Sequence, residues 1–418
     1  MAVRVTTLNN GMRVATDRID TVESATVGVW CDVGTRDERP QVNGVAHLLE
    51  HMLFKGTRRR SAKAIAEEIE AVGGHMNAYT AREQTAYYAR VLKADVDLAV
   101  DMIADILQHS LFDAGELKRE RAVILQEIGQ ARDTPDDIVF DHFQAAAFPG
   151  QGVGRPVLGR ADVVRRMKRD SVRGFLAGHY APGRLVLSAA GNVDHDRLVQ
   201  LAGEKFDALP PPAEHARAAA RYKGGEKRDK RKLDQVHLVL GFDGVGNLDP
   251  DFYPMQVMST VLGGGMSSRL FQEVREKRGL VYSIYCFAAS MRDGGLFGIY
   301  AGTGDDKVRE LMPVVADEIN KLGAAAGEAE VARARAQLKA GTLMALESTS
   351  HRCEQLAQQL LVFGRPIPVD EIVAKIEAVD AAAVSRVLRR ALGSKPTLAA
   401  VGPVGKLESR ARFGARLN

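Results

Sequence analysis

Apolar residues along the chain fall into short continuous runs and longer helical stripes, and the same order of these runs occurs twice. Ala25 to Val33 is a valine-rich apolar run closed by Gly34 and Thr35, which predicts a strand. A polar turn follows. Then comes Gly44 to Phe54, whose Val, Ala, Leu, Met and Phe residues suit a buried helix. In the second half, Val236 to Phe242 predicts the matching strand, Gly244 to Asp251 the turn, and Tyr253 to Leu262 the apolar helix. Both helices run into glycine, at Gly56 and at Gly263 to Gly265. Further strands are predicted within Met76 to Val91, after a Gly73-Gly74 turn, and within Val281 to Ala301. Helices are predicted at Asp95 to Ser110 and Lys307 to Leu322, and apolar strands closed by glycine at Leu185 to Gly191 and Leu398 to Gly402. One unit of about 200 residues used twice explains this order. Strands bunched between helices imply an α+β fold, each copy a mostly antiparallel sheet packed with helices.

The two copies meet near the middle of the chain. Pro210, Pro211 and Pro212 can continue neither a helix nor a central strand, and a Lys/Arg-rich run follows them to Lys232. This predicts a first domain over 1–215, a solvated linker over 216–232 and a second domain over 233–418.

Composition narrows the function by exclusion. Of 418 residues, 45% are hydrophobic and 26% charged, which describes a folded globular protein. A net charge of +4 is too small a surplus to argue for nucleic acid as a partner. Three widely spaced cysteines, Cys31, Cys286 and Cys353, make neither a disulfide framework nor a cysteine metal knuckle. No run of about 18 apolar residues is present, and Met1 to Asn10 lacks a secretory pattern. The expectation is a cytoplasmic protein with no membrane contact.

The chemistry concentrates in His47-Leu-Leu-Glu-His51. On a helix, His47 and His51 are i and i+4, so both imidazoles leave one face and can bind one Zn²⁺. Glu50 sits beside His51, placed to act on a water at the metal without ligating. This order inverts the more familiar HExxH zinc helix. A catalytic zinc needs a third protein ligand, and Glu116 to Arg132 predicts an acid-rich helix able to supply it. Glu120 and Glu127 are two helical turns apart on one face, and spacing alone does not choose between them.

His47-Leu-Leu-Glu-His51 followed by Met-Leu-Phe-Lys-Gly-Thr resembles the pitrilysin/insulinase metallopeptidases, family M16. The likeness is greatest to the branch of mitochondrial processing peptidase β subunits and their bacterial relatives. It extends to Gly73-Gly-His-Met-Asn-Ala-Tyr-Thr80, to Tyr180-Ala-Pro, to Gly191-Asn-Val and into the second half. In that family the third ligand follows the second histidine by the 76 residues that separate His51 from Glu127. The resemblance therefore assigns Glu127 as ligand and Glu120 as its support, with one Zn²⁺ per chain and Glu50 as general base. It implies that Asn77, Ala78 and Tyr79 lie on an edge strand to which substrate adds. It also implies that Arg275 and Tyr282, seven residues apart, hold the substrate backbone or oxyanion. Arg278 is a weaker candidate for the arginine. Asp137 and Asp141, i and i+4, match acidic positions that hold a substrate arginine.

The glycines at Gly263 to Gly265 are not a phosphate loop, because no Gly-Lys-Ser/Thr follows. In the repeat, Ser259 and Thr260 stand opposite Glu50 and His51, so only the first copy carries a zinc motif. Family members enclose substrate in a chamber of four such domains, which implies a homodimer, or a heterodimer with an inactive homologue. The expected function is zinc-dependent endopeptidase cleavage of unfolded or presequence-like peptides. The alternatives are a non-catalytic assembly subunit and a metal-binding module, neither of which requires Glu50.

Overall fold

Valine, alanine and aromatic runs become central strands because both of their faces are covered. The computed structural model describes residues 3–211 and 217–417, so the expected domain boundary at 215/216 lies outside the described residues. The first sheet contains β1 (Val3–Thr7), β2 (Arg13–Arg18), β3 (Ser24–Cys31), β4 (His75–Thr80), β5 (Thr85–Leu92) and β6 (Leu185–Gly191), in the order β1-β2-β6-β3-β5-β4. The second contains β7 (Glu226–Lys230), β8 (Gln235–Asp243), β9 (Val281–Ser290), β10 (Gly295–Gly304) and β11 (Thr397–Gly402), in the order β7-β11-β8-β10-β9.

The second order reproduces the first without β1. In each sheet one pair is parallel, β2 with β6 and β7 with β11, and the remaining neighbours are antiparallel. Both halves are therefore α+β and share one strand topology, as the repeated apolar pattern implies. β4 and β9 occupy equivalent free edges.

Residues expected to form a solvated linker include β7, which pairs with β11 from Leu398↔Glu226 to Gly402↔Lys230. Its Glu-Lys-Arg-Asp-Lys sequence has no apolar alternation, because an edge strand keeps charged side chains in water and contributes backbone hydrogen bonds. Arg228 further donates to the carbonyls of Leu407 and Glu408.

The two compact units do not follow the sequence halves. Unit 1 takes residues up to Gly129, Arg155–Ala218 and Ala345–Ile367; unit 2 takes Gln130–Gly154, Ala219–Met344 and the chain from Pro368. Each half thus lends one helix to the other unit. In unit 1, helix Thr349–Phe363 covers the sheet face that presents Ala15, Trp30, Ala86, Val186 and Ala190, with Cys353, Leu356, Ala357 and Leu360 buried against them. In unit 2, helix Pro135–Ala147 places Val139, Phe143 and Ala147 on Val239, Ala399 and Val401. Gly241 faces the Phe143 ring so closely that a Cβ there would collide with it.

The lent helix of unit 1 is also held by polar contacts. Arg352 grips Asp17 through two bonds of 2.6 Å, and both residues are buried. Glu354 accepts a 2.6 Å bond from the Tyr79 hydroxyl on β4. Cys31, Cys286 and Cys353 are all free thiols. No helix among the described residues is long and apolar enough to cross a membrane.

Removing one partner of a buried ion pair strands the other charge. Asp17→Ala is predicted to lower the unfolding free energy by about 3–5 kcal/mol, read from the denaturant midpoint. An Asp17→Ala/Arg352→Met double variant is predicted to recover most of that loss.

Candidate metal centre

The His47-Leu-Leu-Glu-His51 turn lies on α1 (Val45–Leu53). Val45, Ala46, Leu48, Leu49, Met52 and Leu53 are buried, which leaves His47, Glu50 and His51 as the one polar face of the helix. Its start is fixed from outside. Gly44 adopts φ 96°, a left-handed conformation open to glycine, and has no side chain to cap the helix. Glu38 caps it instead: Oε2 accepts from the Gly44 N–H at 2.9 Å and Oε1 from the Ala46 N–H at 2.9 Å. Burial pushes the Glu38 carboxyl up to about 7, against the pull of these bonds and of the one from Asn43.

The opposing wall is α2 (Ala114–Asp133). Leu117, Glu120, Ile124 and Glu127 follow 3-4-3 spacing, so two carboxylates occupy positions that an apolar stripe would normally fill. Glu127 Oε2 lies 3.9 Å from His47 Nε2 and 3.8 Å from His51 Nε2. One ligand atom from each of the three residues falls within 4.8 Å of the others, and among the described residues no other His/Cys/Asp/Glu group does so. Glu127 Oε2 and His47 Nδ1 are buried without a hydrogen-bond partner. A buried acceptor facing two imidazole nitrogens without a hydrogen bond to either is costly unless a cation lies there. Zinc bonds of about 2.0–2.2 Å span such separations. The donor set of two nitrogens and a carboxylate therefore fits Zn²⁺.

Around these three, Glu120 Oε2 lies 3.0 Å from His51 Nδ1, the contact that fixes a ligating tautomer. Burial, and secondarily the charge of His51, drives His47 down to about 4, which keeps its imidazole neutral and able to ligate. Burial raises the Glu50 carboxyl, opposed by a hydrogen bond from the Thr80 hydroxyl and by His51.

Comparison with known proteins gives the family. The insulinase (peptidase family M16) profile matches residues 13–161, and the peptidase M16 inactive domain profile matches 166–338. A Streptomyces coelicolor protein named as an uncharacterized zinc protease is 43% identical over 412 residues, 96% of this chain and 90% of the relative. The chain belongs to peptidase family M16. An Arabidopsis thaliana M16 relative, named as a probable mitochondrial-processing peptidase subunit beta, is 41% identical over 429 residues, 99% of this chain and 81% of its own length. In fold, a Pseudomonas fluorescens structure titled peptidase M16 inactive domain superposes with TM-score 0.90 at 21% identity, covering 98% of this chain and 99% of that one. A chain of complex III2 from Candida albicans gives 0.87 at 22% identity, covering 99% of each.

The M16 resemblance named further residues, and the structure places them as follows. Asn77, Ala78 and Tyr79 lie on β4, the edge of the first sheet. The Tyr79 hydroxyl meets Glu354, Gln84 and the Trp30 indole. Arg275 and Tyr282 do come together in unit 2, the guanidinium 4.7 Å over the Phe271 ring and 5.5 Å over that of Tyr282. Arg275 sits in a π-helical stretch, Phe271–Glu276, and Tyr282 is 79% exposed. Arg278 instead pairs with Glu273. Asp137 and Asp141 lie on helix Pro135–Ala147 of unit 2, Asp137 exposed and Asp141 partly covered. Sequence reasoning missed Glu38, whose role depends on a contact across six residues, and Thr80, whose bond to Glu50 crosses from strand to helix.

The depressed His47 pKa fixes a sign. Between about 4 and the ordinary 6.5, the unfolded imidazole binds a proton that the folded one refuses. The metal-free protein is therefore predicted to lose stability from this group as pH falls through that window, with no effect above it. Subtracting the pH–stability curve of His47→Gln from that of the wild type isolates the term.

Proposed function

We propose that this protein is a zinc-dependent endopeptidase acting on unfolded or presequence-like peptides. The observation that carries the reading is the buried, unpartnered Glu127 Oε2 facing His47 and His51 with Glu50 on the same helical face. The names of relatives support it, since several are called zinc proteases. Zinc, bound by His47, His51 and Glu127, would supply Lewis acidity and make water nucleophilic near neutral pH.

The chain's own residues do the rest. The substrate adds to the free edge of β4 as an extended strand, so recognition reads backbone shape before side-chain identity. Thr80 holds Glu50 in place by its hydrogen bond. Glu50 takes the proton from the attacking water and returns it to the leaving amine. Burial favours this role, because a raised carboxyl is a stronger base. Glu120 keeps His51 oriented. Arg275 and Tyr282 hold the substrate backbone or the developing oxyanion, and the stacking of the guanidinium on two rings pre-orders the pair. Asp137 and Asp141 favour substrates with an arginine.

On this reading the working form is a homodimer enclosing a chamber, with heterodimerisation with an inactive homologue as the variant arrangement, and the setting is cytoplasmic. A non-catalytic assembly role is disfavoured because all three ligands and Glu50 are kept. A storage site would have no use for a base beside the metal.

Glu50→Gln keeps the shape of the site and removes the base. It is predicted to retain zinc at wild-type stoichiometry and to lose peptide hydrolysis by about 10²–10⁴-fold, measured by metal analysis and by digestion of a peptide library. Full activity in that variant would remove the mechanism.

A further inference from the structure

We propose that Lys55 is a positioning residue for the metal centre: it locks the Glu120 carboxylate so that Glu120 can hold His51 in its ligating orientation. The inference rests on the zinc reading above and adds a residue outside the ligand set.

The geometry is a three-member relay. Lys55 Nζ lies 2.9 Å from Glu120 Oε1, and Glu120 Oε2 lies 3.0 Å from His51 Nδ1. The Glu120 side chain is only 6% exposed, so water contributes little to its orientation. Held by His51 alone, a carboxylate can pivot about its long side chain. Gripped at both oxygens, it cannot.

The local chain makes this grip available. Lys55 follows the end of α1, and its N–H still bonds the Met52 carbonyl, which carries the helical turn one step further. Lys55 is thus i+4 from His51 and returns its side chain to the face that bears the imidazole. A cation there also faces the negative end of the helix.

The two histidines are not equally supported. His47 Nδ1 is buried without a hydrogen-bond partner, so no such contact fixes its ring. Hydrogen-bonded orientation of the histidine pair therefore enters through His51, and from His51 through Glu120 to Lys55. The His47 ring is packed instead, meeting that of His51 edge-on at 4.6 Å.

The test is zinc affinity of the full chain, measured by competition with a chromophoric chelator at neutral pH, together with the visible spectrum of the cobalt-substituted protein. Lys55→Met is expected to weaken zinc binding by about tenfold and to shift the cobalt bands, while Lys55→Arg restores both because it keeps the charge and the donor. Should the Met variant fail to fold, Lys55→Gln takes its place with the same expectation. Unchanged affinity and spectrum in the Met or Gln variant would overturn the proposal. So would equal weakening in the Arg variant alongside a matching loss of metal-free melting temperature, which is the mark of a packing role. A wild type that binds no zinc would instead defeat the reading on which the proposal rests.

Discussion

Two imidazoles and a carboxylate on one otherwise buried helical turn set the central problem of this structure. Apolar residues drive α1 into the core, and His47, Glu50 and His51 go in with it. Each must then be compensated, or the helix is better left exposed. Glu120 compensates His51 and Thr80 compensates Glu50. Glu127 brings a third ligand atom to the two ring nitrogens and stays unpartnered itself. A divalent cation would satisfy that residue of uncompensated polarity, so the proposed zinc is both the reactive centre and part of the packing.

The same constraint accounts for the bonds that hold the surroundings in place. Glu38 fixes the start of α1 by accepting from the N–H groups of Gly44 and Ala46, the work an N-cap side chain would do if Gly44 had one. β4 is braced from behind, where Tyr79 meets Glu354 on a helix contributed by the second half of the chain. Thr80, the next residue on that strand, faces Glu50. The exchange of helices between the two copies thus gives the second half a structural share in the unit that carries the His47-Leu-Leu-Glu-His51 motif.

Much of this was legible from the sequence. The central strands and α1 announce themselves by continuous apolar runs, and β6 at Leu185–Gly191 matches its predicted span residue for residue. The repeat was legible because both copies spend the same apolar pattern on the same topology. The HxxEH spacing predicted a shared face, which α1 delivers. What stayed hidden has a common cause. β7 carries five polar residues because an edge strand is held by backbone bonds, and periodicity cannot see these. The exchange of helix Thr349–Phe363 rests on long-range burial, with Arg352 and Asp17 meeting across 335 positions. Assigning Glu127 rather than Glu120 to the two ring nitrogens needed the family interval, because both stand on one stripe of α2 and only three-dimensional distance separates them.

Zinc K-edge X-ray absorption of the purified, zinc-loaded chain tests the central claim most directly, since it reads the ligands and not the activity. The account predicts a four- or five-coordinate light-atom shell at about 2.0–2.2 Å with the multiple-scattering signature of two imidazoles, reduced to one in His51→Ala. A shell containing sulfur at about 2.3 Å, or one of oxygens alone without imidazole scattering, would contradict it.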